Sequence, residues 1–183
     1  MRISNITYYR GLDFEDYLKL PGTSFSSLKG EIPVSAGMAL GSRVHAYINE
    51  PDKYDWQQVD IVKPIAATLR AVVGDAFKYL EKEVAFTCDM EHNGLVLTYR
   101  GRADMLKVGR IVIDLKVLAG SLESACSRFG YVDQISGYCL PTNCDRGLII
   151  AYNKSTKKVE TKLIKPTPGF WEYTVARLGR PVE

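Results

Sequence analysis

The stretch "GRADMLKVGRIVIDLKV" (residues 101–117) decides how the rest of the chain is read. Two runs rich in apolar and β-branched residues flank a turn at Gly109, the composition of two strands of a hairpin. Strand side chains alternate between faces, so Asp114 and Lys116, two apart, share one face. Leu115, with Ile113 and Val117, takes the other. The tight turn allows Asp104 to come close to Asp114 across the neighbouring strands. One face is apolar; the other holds two acids and an amine.

Adjacent carboxylates repel unless a cation lies between them or one takes up a proton. Their oxygens suit a hard divalent ion such as Mg²⁺, which keeps waters and bridges to phosphate. A lysine beside that ion can orient or help deprotonate an attacking water and stabilise charge on a phosphorane. An exposed Asp–Lys salt bridge is the plain alternative, and the D-x9-D-x-K spacing alone does not separate the two. Two further features bear on it. In "YVDQISGYC", Gln134 and Tyr138 are four apart on a helix and share a face, where they can contact a phosphate or the nucleophilic water. In "LGSRVHAYI", His45 stands on an upstream helix as a candidate metal ligand.

Working outward, the pattern predicts a mixed α/β layer structure. The first 35 residues read as irregular with a short helix around "FEDYLKL", and Ser24 or Ser26 is a helix cap. A helix over "SAGMALGSRVHAYINE" carries Met38, Val44 and Ile48 at helical spacing and stops at Pro51. The next places Ile65, Leu69, Val72, Val73, Ala76 and Leu80 in one stripe, with Pro64 in its first turn. From Val84 the period becomes strand-like, and three strands follow, the first two joined by a turn at "EHNG". A helix over 122–141 is interrupted near Gly130. A hairpin with "NKST" as its turn and a last helix from Thr167 or Pro168 complete the order. The expectation is one domain over 1–183, mostly helical to residue 80, with a catalytic core of about five mixed strands from 81 onward.

At 46% apolar and 25% charged, the 183 residues have the make-up of a globular domain rather than a disordered or fibrous chain. A net charge of +3 permits a polyanionic partner without demanding one. Four cysteines at irregular spacing, with no CxxC pair, read as reduced thiols in a cytoplasmic protein rather than as an iron–sulfur site. No apolar run reaches the roughly 20 residues of a membrane span, and "MRISNITYYRG" has no apolar signal core. No membrane partner is expected.

The order "GRAD", x9, "DLK", then Q-x-x-x-Y resembles the PD-(D/E)XK nuclease superfamily. Within it, the chain is most similar to the exodeoxyribonuclease VIII (RecE-type) group of phage exonucleases, near the RecB and Cas4 nuclease domains. "FSSLK" followed by "LGSRVHAYINEPDKY" resembles that group's opening segment, and "RFGYVDQISGY" its tyrosine-rich helix. The likeness runs from about residue 8 to residue 153.

It implies a restriction-endonuclease-like core and a Mg²⁺-dependent deoxyribonuclease, with Mn²⁺ as a substitute. The metal ligands would be Asp104, Asp114, His45 and the main chain near Leu115. Lys116 would be the catalytic lysine, with Gln134 and Tyr138 lining the site. Arg43, Arg100, Arg102 and Arg110, with Lys107, would grip DNA. Ala103 replaces the proline of the motif's name, Asp114 stands where many relatives carry Glu, and Glu83 is a further acidic candidate. The likeness also implies action on DNA ends in recombination or repair, with a single-strand annealing protein and a homo-oligomer as possible partners. An endonuclease, or an inactive nuclease-fold binding module, is the competing reading.

Overall fold

The hairpin at the centre of the sequence forms as its alternation requires. In the computed structural model, which describes residues 1–29, 36–49 and 61–182, strands β3 (Leu95–Lys107) and β4 (Ile111–Leu118) pair antiparallel. Met105 faces Ile113 and Lys107 faces Ile111. The turn has Gly109 at φ +70, and its amide donates to the carbonyl of Thr142 at 3.0 Å. Strand β2 (Glu81–His92) lies antiparallel to β3 through a two-residue turn. Asn93 and Gly94 there have φ of 51 and 73, the left-handed pair that matches strand twist.

Strand β1 (Arg2–Tyr9) extends the sheet beyond β2, where the sequence reads as irregular. Helix α1 (Phe14–Lys19), a 3₁₀ turn (Ser27–Lys29), helix α2 (Ala36–Asn49) and helix α3 (Val62–Val73) precede β2. Ser24 is the residue that caps the 3₁₀ turn, its Oγ accepting the amide of Ser27. Helix α3 stops earlier than the stripe predicts. Gly74 at φ +59 ends it, a 3₁₀ segment follows, and Val72 and Ala76 point to solvent. The expected stop at Pro51 lies outside the described residues.

After β4, helices α4 (Leu122–Phe129) and α5 (Tyr131–Cys139) meet at Gly130, which is left-handed at φ 60. They form the crossover that a parallel neighbour demands. Strand β5 (Arg146–Asn153) runs parallel to β4, and β6 (Lys158–Ile164) returns antiparallel. Helix α6 (Gly169–Leu178) and a short β7 (Arg180–Pro181), paired with the start of β3, close the chain. The sheet has order β1-β2-β3-β4-β5-β6, seven strands with β7 against the roughly five expected. The mixed α/β class holds.

Burial explains the layers. Phe86, Tyr99, Leu106 and Val112 pack against α4, α5 and α6, with Trp171 fully buried among them. On the other face Met105, Ile113, Leu115 and Ile150 pack against Val44, Ile48, Ile65 and Leu69 of α2 and α3. Strand β4 is covered on both sides, which is why "IVIDLKVL" reads as a nearly continuous apolar run. Val117 sides with Ile113 and Leu115, as alternation predicts. All four cysteines are buried free thiols. No helix among the described residues is long and apolar enough to cross a membrane.

Candidate active site

Pairing of β3 with β4 ends at Met105 and Ile113. In the opening beyond, the Asp104 Oδ2 accepts the amide of Leu115 at 2.6 Å. The carboxylate of β3 is thereby lodged against the backbone between Asp114 and Lys116. Asp114 is 2% exposed, and Lys116 Nζ lies 2.5 Å from its Oδ2. Lys116 is thereby the close counter-charge of the buried Asp114 carboxylate. Alternation along β4 and the splaying of β3 together bring the two acids and the amine to one place.

Helix α2 supplies His45. Its Nε2 lies 2.9 Å from the carbonyl oxygen of Leu115 and its Nδ1 3.4 Å from Asp104 Oδ1. Both partners can only accept, so both ring nitrogens carry protons. Burial alone would depress the imidazole, but the Asp104 charge outweighs it and lifts the pKa to about 9. For Asp104 the order is reversed: burial would raise it, and the His45 charge, with Lys116 and the Leu115 amide, holds it at about 2. Asp114 is pushed up by burial and by Asp104, against the pull of Lys116. Burial works to lower Lys116, yet Asp114 and Asp104 keep it above the usual lysine value.

Glu83 completes the group. The β2–β3 register, Lys82 to Met105 and Val84 to Ala103, sets it across from Asp104. Its φ is +50, a left-handed conformation inside a strand that a non-glycine residue seldom adopts, and such strain gathers at functional sites. Asn49 Nδ2 donates to Glu83 Oε1 at 2.6 Å, and Arg102 Nη2 lies 2.9 Å from Oε2. Burial, helped by Asp104, lifts its pKa to about 7 against Arg102 and His45.

Among the described residues, His45, Glu83 and Asp104 each offer a ligand atom within 4.8 Å of the others. One imidazole, two carboxylates and the buried Asp114 oxygen suit a hard divalent cation. Such an ion would relieve the mutual repulsion of these acids, at the cost of one proton from His45.

The other expected residues divide. Tyr138 lines a cleft of about 440 Å³ with Asp104, Glu83, Arg102, Phe14 and Tyr17. Gln134 stands behind it, its Nε2 donating to Tyr138 Oη at 2.9 Å. Arg102 reaches the site, paired with Glu83 and lying 5.5 Å from the Phe14 ring centroid. Arg100 is occupied elsewhere, its Nη1 donating to the carbonyls of Leu18 and Leu20 and so fastening α1 to the sheet. Arg110 sits in the β3–β4 turn and acts on Asp145. Neither Arg110 nor Arg43 lines this cleft or the second, of about 490 Å³, that opens on the Lys116 side. Reading the sequence missed Arg128 and Lys154, which line that second cleft. The signal for both was weak, a helix-end cation and a turn lysine.

No family model matches the chain, and comparison with curated proteins finds no match. Among solved structures it is similar to a phage related exonuclease from Haemophilus somnus 129PT, with a TM-score of 0.44 and 16% identity over 86% of this chain and 90% of that one. It is also similar to an alkaline exonuclease from Laribacter hongkongensis, with a TM-score of 0.48 and 11% identity over 89% of each chain. At these values the likeness assigns no role to any residue, and the chemistry has to come from the side chains themselves.

Proposed function

We propose that the chain is a metal-dependent DNA nuclease that hydrolyses phosphodiester bonds, acting on DNA ends in recombination or repair. The observation that carries this reading is the meeting of His45, Glu83 and Asp104 within 4.8 Å beside the buried Asp114–Lys116 pair. A structural salt bridge needs one acid and one base, whereas here three acids, Glu83, Asp104 and Asp114, are gathered with His45, Lys116 and Arg102 in one largely buried group. The motif order "GRAD", "DLK", Q-x-x-x-Y supports a nuclease in particular, and its likeness to the RecE-type group favours ends.

Asp104, Glu83, His45 and Asp114 would hold Mg²⁺, with Mn²⁺ as a substitute, and the ion would supply Lewis acidity at the scissile phosphate. Lys116, kept protonated by its two acid neighbours, serves as a fixed positive charge for the phosphoryl oxygens rather than as a base. Tyr138, whose phenol burial holds well above 10, stays a hydrogen-bond donor positioned by Gln134. Water adds to phosphorus, the bond to the 3′ oxygen breaks, and the products are a 3′ hydroxyl and a 5′ phosphate. The water's protons pass to solvent and to the leaving oxygen.

Digestion of end-labelled duplex DNA in Mg²⁺ tests the proposal. Wild type should release label, and Asp114→Ala and Lys116→Ala should not, while far-ultraviolet circular dichroism shows all three folded. Wild-type turnover in either variant would overturn it. Covalently closed DNA left intact under the same conditions identifies end action, and its cleavage identifies an endonuclease.

A further inference from the structure

The cleft on the Lys116 side differs from its neighbour in charge. The two share Ser42 and His45, so they meet at the candidate metal site. The Asp104 side holds Glu83 and Asp104. Among the described residues the other has no acid in its walls, and Lys116, Arg128 and Lys154 line it together with Ser121 and Ser124. Glu83 and Asp104 line the first cleft and Lys116, Arg128 and Lys154 the second, with His45 in the walls of both.

The three cations come from separate elements. Lys116 projects from β4 with its Nζ 4.9 Å from the Tyr131 ring centroid. Arg128 belongs to the last turn of α4, is exposed, and lies 5.2 Å from the Phe129 ring centroid. Lys154 follows β5, and its amide donates to the carbonyl of Leu118 at 2.8 Å, which fixes the loop against the end of β4. Neither Arg128 nor Lys154 forms an ion pair with a carboxylate among the described residues. Three cations from a strand, a helix and a loop lining one cleft put several positive charges on a single wall, which suits a chain of phosphates. Aromatic rings at Tyr131 and Phe129 between the cations provide faces for unpaired bases.

We propose that this cleft, from Lys116 past Arg128 to Lys154, is the track for the sugar–phosphate backbone of a single DNA strand. Its role as a lead to the reacting phosphate rests on the nuclease reading above; its role as a binding surface does not. Arg128 and Lys154 thereby take the part that the sequence assigns to Arg100 and Arg110.

The test is fluorescence anisotropy of a short labelled single-stranded oligonucleotide titrated with the protein in a chelator, across a series of salt concentrations. Removing one cation that neutralises a phosphate should lower the slope of log affinity against log salt by about one unit. Arg128→Ala and Lys154→Gln should therefore bind more weakly and with shallower slopes than wild type. Arg177→Ala, which removes an equal charge from the exposed side of α6, should match wild type. Wild-type slopes in both cleft variants, or no oligonucleotide binding by the wild type, would overturn the assignment. Shallower slopes in a protein that never cleaves DNA would sink the nuclease reading and keep the track. Cleavage with unaltered slopes would do the reverse.

Discussion

His45 is charged because Asp104 and the Leu115 carbonyl both face its ring, and that has a consequence for stability. Its folded pKa of about 9 exceeds the ordinary 6.5. The contribution is therefore complete below 6.5 and disappears as pH rises through 9. The same interaction seen from Asp104, whose pKa falls to about 2, is present above 3.8 and disappears as pH drops through 2. The ring is 23% exposed, so solvent screens part of the effect, leaving on the order of 1 to 3 kcal/mol. Urea unfolding in a chelator should show wild type losing most of that between pH 7.5 and pH 9.5, above the range in which Glu83 titrates, with His45→Gln losing much less. Lys116→Ala gives the opposite slope. It strips the counter-charge from Asp114, whose pKa is already raised by burial and rises further. A carboxyl with a raised folded pKa is best accommodated protonated, so the variant's deficit relative to wild type should be large at pH 7.5 and shrink toward pH 5. Equal deficits at both values would mean that the lysine does not balance the acid. Asp104, Asp114 and Lys116 were legible because strand alternation and the tight turn bring them near one patch, which the splaying of β3 then closes. Glu83 was not, since its place depends on a cross-strand register and a left-handed φ that no local pattern announces.

Helix α5 shows how an element carries the site's geometry into packing. A Cβ added at Gly137 would lie 2.2 Å from Cζ2 of Trp171. The tryptophan cannot give way, being fully buried with its Nε1 donating to the Asp133 carbonyl at 3.0 Å. Gly137→Ala should cost about 1 to 3 kcal/mol through overpacking, read as a lower thermal midpoint. Because Gln134 and Tyr138 ride on the same helix, cleavage should weaken as well. A variant as stable as wild type would show that α5 can shift away from α6. Elements with clean periods, α5 and β2 to β4 among them, were readable in advance; β1 was not, for a physical reason. Its pairing with β2 slips between Ser4 and Thr7, and Asn5 there has φ 52. Ile3 and Tyr8 both touch the core although five residues apart. An extra residue reverses the parity between them, so the alternation that marks a strand is broken in sequence and restored only by the bulge. The stripe through Val72 and Ala76 failed in the opposite way. Its apolar period runs on past Gly74, but the glycine's positive φ turns the chain before Ala76 can face the core, and Val72 already lies on the exposed side of α3.

At the scale of the whole molecule, the candidate metal site is where the two packed layers meet. His45 comes from the α2–α3 layer, Tyr138 from the α4–α6 layer, and Asp104, Glu83, Asp114 and Lys116 from the sheet between them. A cation held there would tie the layers together only in the folded chain, because the ligands are dispersed in sequence from 45 to 114. Binding then adds directly to folding stability, by about 2.7 kcal/mol at a hundredfold excess over the dissociation constant. For a domain of this size that is a rise of roughly 5 to 10 °C in the thermal midpoint. Mn²⁺ should raise the wild-type midpoint by that order, and Asp104→Asn should abolish the gain. The gain should also depend on pH. His45 must release a proton to offer a lone pair, so the metal competes with that proton up to about pH 9. The Mn²⁺-induced shift should therefore be larger at pH 8.5 than at pH 6, and in His45→Gln this difference should shrink to the part contributed by Glu83, which burial lifts to about 7. A difference as large in His45→Gln as in the wild type would remove His45 from the ligand set, leaving Glu83, Asp104 and Asp114 to hold the ion.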